Sequence, residues 1–174
     1  KPVDVKAFAT GVANCHTYDW IVFTSPNGVH RFFDAFFKLY HDVRSIGGAR
    51  IAVIGPGTAD AVKSYHLGVD LLPESRFVAE GLVEAFADKQ ELIGSMENLT
   101  VLRVKAEETR DVVTEGLLAM GAIVDECIAY RTVPETDDPS GAVERFREEG
   151  AEWVTFTSSS TVEHFLPMGL TWLE

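Results

Sequence analysis

The chain has 174 residues, of which 46% are hydrophobic and 24% are charged, which is usual for a globular protein. Its net charge of −12 argues against a nucleic-acid groove, because such a groove needs a basic surface. No run of 18 apolar residues is present, so no transmembrane helix is expected. Cys15 and Cys127 lie in no metal-binding spacing, and we expect both to be reduced thiols of a cytoplasmic protein.

The first part of the chain is predicted to lead into a buried strand. It begins KPVDV, with neither an initiator Met nor an apolar signal core, so we expect an internal start within a longer protein. Residues 1–5 are predicted to be extended and residues 6–17 to form a weak helix. Residues 20–23 are continuously apolar, which is typical of a parallel strand that is covered on both faces.

A turn and an aromatic helix follow this strand. In the turn, Ser25 or Asn27 can cap the helix, and Pro26 and Gly28 are typical turn residues. The helix is expected to continue to the glycine pair at 47–48. Its apolar residues recur at helical spacing and are expected to pack against the sheet: Val29, Phe32, Phe33, Phe36, Phe37 and Tyr40.

Strand and helix patterns then alternate as far as residue 130. The predicted strands are 50–54, 69–72, 99–104 and 123–130, and the predicted helices are 59–66, 78–86 and 106–120. This alternation predicts a parallel sheet with right-handed crossovers. Residues 134–141, PETDDPSG, form the clearest linker, and a helix is predicted at 142–149.

The segment after the linker repeats the first strand unit. WIVFTSPNGVHRFF at 20–33 and WVTFTSSSTVEHFL at 153–166 are identical at six of fourteen positions, where about one match is expected by chance. Each copy is predicted to be a strand, a Thr-Ser turn and a helix. A solenoid has repeats of roughly 20–50 residues, so a repeat at this longer spacing indicates two similar domains.

Three loops are predicted at the carboxyl ends of parallel strands, where α/β proteins bind ligands. Residues 24–28, 55–58 and 105–109 offer hydroxyls or helix-start N–H groups that can hold phosphate or carboxylate. The same residues also suit helix caps and tight turns, and no nucleotide fingerprint is present. Tyr130 can reach a cleft or pack internally, and Lys105 can contact an anion or be solvated.

Four segments together resemble the uroporphyrinogen-III synthase family: YDWIVFTSPNGV at 18–29, RIAVIGPGTADAV at 50–62, residues 101–133, and WVTFTSSSTVEHF at 153–165. The resemblance implies two similar three-layer α/β domains with parallel, flavodoxin-like sheets, joined by a two-stranded linker. It implies an outgoing linker and lead-in helix at 1–17, an inserted domain at 18–128, a returning linker at 129–140, and part of the split second domain at 141–174. That second domain is incomplete in this chain.

The resemblance also implies a reaction without a cofactor. Hydroxymethylbilane, a linear tetrapyrrole with eight carboxylates, loses water and closes to uroporphyrinogen III with its last pyrrole ring inverted. By position, Tyr130 matches the tyrosine that is proposed as donor to the departing hydroxyl. The substrate contacts that the resemblance implies are Thr24, Ser25, Asn27, Gly57, Thr58, Ser158 and Ser159. Lys105 is added as a candidate contact because of its position at a strand end.

The expected partner is this bilane, with neither nucleic acid nor membrane. A monomer is expected, either fused to another enzyme of tetrapyrrole biosynthesis or acting beside it. The alternative is a non-catalytic, two-lobed α/β module that closes on an anionic small molecule. A phosphate- or nucleotide-binding enzyme is a weaker third possibility, because its fingerprint is missing.

Overall fold

The computed structural model describes residues 5–133, 140–156 and 159–165. The chain divides into two compact units, one ending at Thr132 and the other starting at Val133. Within these described ranges, no helix is long and apolar enough to cross a membrane.

The first unit is built on a four-stranded parallel sheet with the order β2-β1-β3-β4. Its strands are β1 (Trp20–Phe23), β2 (Arg50–Val53), β3 (Thr100–Ala106) and β4 (Ile123–Tyr130). The strand predicted at 69–72 is reduced to one bridge between Leu71 and Ala52. Pro73 follows two residues later and has no N–H with which to extend a ladder.

Helices cover both faces of this sheet. They are α1 (Val5–Ala13), α2 (Pro26–Leu39), α3 (Pro56–Lys63), α4 (Ala79–Asp88), α5 (Gln90–Ile93) and α6 (Val112–Ala119). One hydrophobic core lies between the sheet and α1–α3, and a second lies between the sheet and α4 and α6. The predicted α/β fold with a parallel sheet is therefore confirmed, and this unit has three layers.

The position of strand β1 between the two cores explains why its sequence is continuously apolar. Ile21 and Phe23 point into the core under α2, whereas Trp20 and Val22 point into the core under α4. Successive strand residues face opposite sides, so a strand that is covered twice has no polar position. The predicted stripe is buried at Val29, Phe32, Phe33 and Phe36, whereas Phe37 is 42% exposed and Tyr40, just beyond the helix, is only partly buried.

Two predicted helices are shorter than the sequence pattern suggested. Helix α2 ends at Leu39, because Tyr40 is extended, and a separate 3-10 turn at Val43–Ile46 precedes the glycine pair. The helix predicted at 106–120 begins only at Val112. Strand β3 instead continues through Ala106, and the segment between them is a loop.

Both cysteines of the first unit are buried and free. Burial raises the pKa of Cys15 to about 11 and that of Cys127 to about 12. A thiol with such a pKa is almost entirely protonated at neutral pH, so neither is an activated nucleophile.

The second unit contains α7 (Ala142–Glu149), as predicted, and α8 (Ser159–Phe165). Phe165 contacts the rings of Phe146 and Phe156, with ring centroids 5.6 and 5.2 Å away. The prediction of a strand at 153–156 is wrong, because these residues pair with no strand in the described part of the chain. Trp153 is 86% exposed. Its counterpart Trp20 is only 1% exposed.

Candidate functional site

Two neighbouring helices begin in the same way at the carboxyl edge of the sheet. Strand β1 leads into Ser25 and then α2, and strand β2 leads into α3 through Gly55. Both helices have Pro in the first turn, a position where its missing N–H costs nothing. Neither first turn carries an acidic residue, so the partial positive charge of each helix start is not neutralised.

Each of these helix starts leaves one backbone N–H without an acceptor. In α2, Gly28 N–H donates to Ser25 Oγ over 3.0 Å, and in α3, Thr58 N–H donates to Gly55 O over 3.1 Å. The N–H groups of Asn27 and Gly57 have no acceptor in the described part of the chain. Such groups at a helix start are a common binding site for carboxylate or phosphate.

The two free N–H groups belong to adjacent loops. A Cβ built at Gly57 would lie 3.9 Å from Pro26 Cγ, so the loops touch without crowding. Both Asn27 and Gly57 are exposed, whereas Thr58 is only 3% exposed. The structure therefore favours Asn27 and Gly57 over the enclosed side chain of Thr58 as contacts for an anion.

Tyr130 reaches this carboxyl edge from β4, the outermost strand on the side away from β2. Its Oη lies 2.9 Å from Ser25 Oγ, although the two residues are 105 positions apart. Thr24 lies beside this pair, and its Oγ1 donates to Val104 O over 3.4 Å. Two residues that the sequence singled out for separate reasons are thus hydrogen-bonded to each other.

An irregularity in β4 turns Tyr130 toward Ser25. Lys105 pairs with Ile128 but Ala106 pairs with Tyr130, so Ala129 is an extra residue in the ladder. Ala129 and Tyr130 consequently both pack into the core under α2 instead of pointing to opposite faces. Bulges of this kind re-aim side chains next to functional sites. Regular alternation from Ala129 would have sent Tyr130 to the other face.

An ion pair between Glu107 and Arg131 lies just beyond the ends of β3 and β4, next to Tyr130. Glu107 N–H donates to Tyr130 O over 2.9 Å, and Arg131 Nη2 donates to Glu107 Oε1 over 2.8 Å, with Arg131 Nε on the second oxygen. The hydrogen bond from Arg131 holds the pKa of Glu107 below its usual range. We did not predict this pair from the sequence. The only signal for it was a pair of opposite charges just beyond two neighbouring strands.

Lys105, predicted as an anion contact, lies on the opposite face of the sheet. Its side chain is 6% exposed, and its Nζ is 3.0 Å from both Asp111 Oδ1 and Glu126 Oε2. Val104, the preceding residue of β3, instead packs in the core under α2. Lys105 is therefore neither solvated nor free, because its buried ammonium group is already paired with two carboxylates.

Arg103 extends this buried charge cluster. Its guanidinium donates to Thr114 Oγ1, Arg110 O and Glu126 Oε1, over 2.6, 2.9 and 3.1 Å. Desolvation lowers the pKa of Arg103. Partial burial would raise the pKa of Glu126, but hydrogen bonds from Thr114 and Lys105 and the two cationic charges outweigh it and hold it below its usual range.

Acidic residues mark the helix starts on this opposite face. Glu80 lies in the first turn of α4, and Glu115 lies in that of α6. Carboxylates thus already occupy these two helix starts, and Glu80 is also paired with Arg110 over 2.7 Å. The electrostatics therefore favour anion binding at α2 and α3. Of the two remaining candidates, Ser158 lies outside the described residues, and the side chain of Ser159 is not described.

The family of this chain is decided by comparison with known proteins. The family model described as uroporphyrinogen-III synthase HemD matches residues 2–171. The chain belongs to the uroporphyrinogen-III synthase family.

Relatives in this family are similar but longer. The uroporphyrinogen-III synthase of Synechococcus elongatus is 32% identical over 157 residues, which are 88% of this chain and 56% of that protein. The porphyrin biosynthesis protein HemD of Ruminiclostridium josui is 30% identical over 156 residues, 88% of this chain and 29% of that protein. This chain thus spans about half or less of the length of these curated relatives.

A solved structure supports the fold. Uroporphyrinogen III synthase from the extremely thermophilic bacterium Thermus thermophilus, in a mutant form, matches 97% of this chain and 64% of its own chain, with a TM-score of 0.68 and 17% identity. At this identity the likeness establishes the α/β fold, while the roles of individual residues rest on the geometry described above.

Replacing Ser25 with Ala is expected to lower the free energy of unfolding by about 1 kcal/mol, because Gly28 N–H loses its capping acceptor. Urea unfolding followed by circular dichroism measures this change. Ser75→Ala is the control, since Ser75 is exposed and has no hydrogen-bond partner among the described residues. Equal stability of the two variants would contradict the capping role of Ser25.

Proposed function

We propose that this chain forms part of a uroporphyrinogen-III synthase, which cyclises hydroxymethylbilane to uroporphyrinogen III with loss of water and inversion of the last pyrrole ring. The observation that carries the proposal is the 2.9 Å contact between Ser25 and Tyr130, beside the free N–H groups of Asn27 and Gly57. It brings a proton donor and a carboxylate site to one edge of the sheet. Membership of the family supports this assignment.

Helix starts let an acidic protein hold an acidic substrate. The chain carries −12 net charge, so general attraction of a polycarboxylate is excluded and local donors must hold it. The free N–H groups of α2 and α3 are such donors, and each helix start adds about 0.3–1 kcal/mol for a nearby negative charge. In this proposal, Asn27 and Gly57 bind side-chain carboxylates of the bilane, and Thr24 and Ser25 border that site.

Tyr130 is proposed as the donor to the departing hydroxyl. Either hydroxyl of this pair can donate. In this proposal Ser25 Oγ accepts the N–H of Gly28 and donates its own proton to Tyr130 Oη. The phenolic proton of Tyr130 is then free to point toward the substrate, where it assists departure of the hydroxyl as water. Holding the two ends of the bilane together contributes the rest of the effect.

The Tyr130→Phe variant is expected to lower the rate of cyclisation by about 10- to 100-fold without abolishing it, because positioning of the bilane is retained. Initial rates with bilane generated in place measure the change. Tyr65→Phe is a matched control, since Tyr65 lies beyond the end of α3 and hydrogen-bonds His30. An unchanged rate would contradict the donor role, and complete loss in a folded variant would show that the phenol does more than assist.

The proposed domains follow the implied boundaries. The division of the chain at Thr132 falls within the proposed returning linker, 129–140, and the first unit contains the proposed inserted domain, 18–128. Residues 141–174 are proposed as part of the split second domain, and 1–17 as the outgoing linker with its lead-in helix. A fusion with another tetrapyrrole enzyme, or action beside one, is part of this proposal, and the greater length of the Ruminiclostridium josui relative leaves room for a further domain.

The product isomer tests the function. The complete product of the gene is incubated with hydroxymethylbilane generated in place, and the oxidised products are separated by isomer. The proposal expects mostly the inverted isomer. If a folded protein gives only the spontaneous, non-inverted isomer but binds the bilane, the non-catalytic module replaces the enzyme. A cytoplasmic monomer remains our prediction.

A further inference from the structure

The loop before α4 carries an exposed aromatic side chain to the same edge of the sheet. Phe77 lies against Gly55, where an added Cβ would be 3.1 Å from Phe77 Cβ and 3.6 Å from Phe77 Cγ. Gly55 is buried, whereas Phe77 is 45% exposed and its neighbour Val78 is 43% exposed. Phe77 therefore presents a partly exposed ring next to the start of α3, and Val78, which follows it in the chain, is also exposed.

These side chains continue the row of groups proposed for the substrate. Phe77 touches Gly55, which precedes the free N–H of Gly57, and Gly57 faces Pro26. Ser25 and Tyr130 complete the row, which crosses all four strands. Three spacings of about 4.8 Å give a length on the order of 14 Å. The row thus has an apolar end, a central pair of N–H donors and a hydroxyl end.

A polycarboxylated pyrrole chain matches this order of groups. The N–H donors can bind its carboxylates, but the faces of its rings are apolar and pack best against an apolar surface. Phe77 is the exposed aromatic side chain against Gly55, with the exposed Val78 next to it in the chain, and an aromatic ring also gains from contact with another ring.

We propose that Phe77, assisted by Val78, contacts the face of a pyrrole ring and thereby selects a polycarboxylated pyrrole chain over a simple polycarboxylate. This role rests on the proposed function, because it assigns the ring-binding part of the same site. Phe77 is a specificity-determining residue in this account. The N–H groups of Asn27 and Gly57 bind carboxylates of either kind of ligand.

The test compares two probes on the whole 174-residue chain. Uroporphyrin I carries both rings and carboxylates, and 1,2,3,4-butanetetracarboxylate carries only carboxylates. Phe77→Ala is expected to weaken uroporphyrin binding by about 5- to 20-fold and to leave the millimolar tetracarboxylate titration unchanged. Phe77→Leu restores part of the loss. Leu118→Ala, a control on α6 where Leu118 is 52% exposed, changes neither titration.

Three other outcomes of these titrations would contradict the role of Phe77. Uroporphyrin binding that is equal in wild type and Phe77→Ala overturns the role of Phe77 and leaves the proposed function standing. Equal weakening of both probes shows a purely structural role and also overturns it. If the folded wild-type chain binds no uroporphyrin, this inference falls, whereas the product isomer formed by the complete gene product decides the proposed function separately. Circular dichroism of each variant confirms that it is folded.

Discussion

The Glu126→Ala variant is expected to lose about 3 kcal/mol of unfolding free energy, which is a large fraction of the 5–15 kcal/mol typical of a domain. Glu126 pairs with both Arg103 and Lys105, whose side chains are 2% and 6% exposed. Removing the carboxylate leaves two buried cations with fewer partners. We take the lower end of the usual 3–5 kcal/mol because the side chain of Glu126 is itself 33% exposed.

Two controls and the pH dependence sharpen this test. Glu126→Gln retains hydrogen bonding and should lose less than Glu126→Ala. Glu115→Ala removes an exposed carboxylate from the first turn of α6 and should lose only about 0.3–1 kcal/mol. Folding lowers the pKa of Glu126 and of Asp111, so their contribution is complete above the unfolded values and is lost as pH falls through the folded ones. Glu126→Ala should therefore flatten the acid limb of the stability curve. A loss equal to that of Glu115→Ala would contradict the cluster.

The Gly57→Asp variant is expected to bind uroporphyrin I at least about tenfold more weakly while unfolding at a higher temperature. A carboxylate in the first turn of α3 repels an incoming carboxylate at close range. The same charge interacts favourably with the helix start and adds about 0.3–1 kcal/mol of stability. An added Cβ meets only Pro26 Cγ at 3.9 Å, so no steric cost offsets this gain.

Opposite changes in binding and stability separate this effect from general damage. Gly57→Ala provides the matched control, since it adds the Cβ without the charge and should bind nearly as wild type does. Fluorescence titration and thermal unfolding on the same samples measure both quantities. Unchanged binding by a stabilised Gly57→Asp variant would show that the carboxylates lie elsewhere.

The sequence predicted some elements from local signals. Strands β1 and β4 and helix α7 have the predicted bounds, although only β1 is buried throughout. The apolar run of β1 and the helical spacing of α7 are local signals. The contact between Ser25 and Tyr130 was not predictable in this way. It depends on the extra residue Ala129, which changes the face that Tyr130 occupies and which only the pairing of β3 with β4 reveals.

Lys105 shows why a charged residue at a strand end misleads. A lysine there is usually solvated or bound to a ligand, but here the neighbouring strand and α6 supply Glu126 and Asp111. The continuation of β3 beyond residue 104 has the same origin, because alternation of Arg103 and Lys105 with apolar residues is stable only when those charges are paired. Such partners come from sequence positions that no local pattern connects.

The two copies of the repeated segment differ in whether they form a strand. Residues 20–23 and 153–156 share the same apolar pattern, yet only the first forms a strand in the described structure. Trp20 is covered by α4, with Phe86 at a ring distance of 5.1 Å, and β1 has hydrogen-bonded neighbours on both sides. A strand is stabilised by its neighbours, so its sequence alone does not determine whether it forms.

The most direct test of the central claim is to map a tetrapyrrole on this chain by amide NMR. The uniformly 15N-labelled chain is titrated with uroporphyrin I, and shifts are followed at both ends of α2 and α3. We expect the largest shifts at the N–H groups of Asn27 and Gly57 and little change at Lys38 and Lys63, in the last turns of the same helices. Largest shifts at Lys38 and Lys63, with Asn27 and Gly57 unmoved, would contradict it.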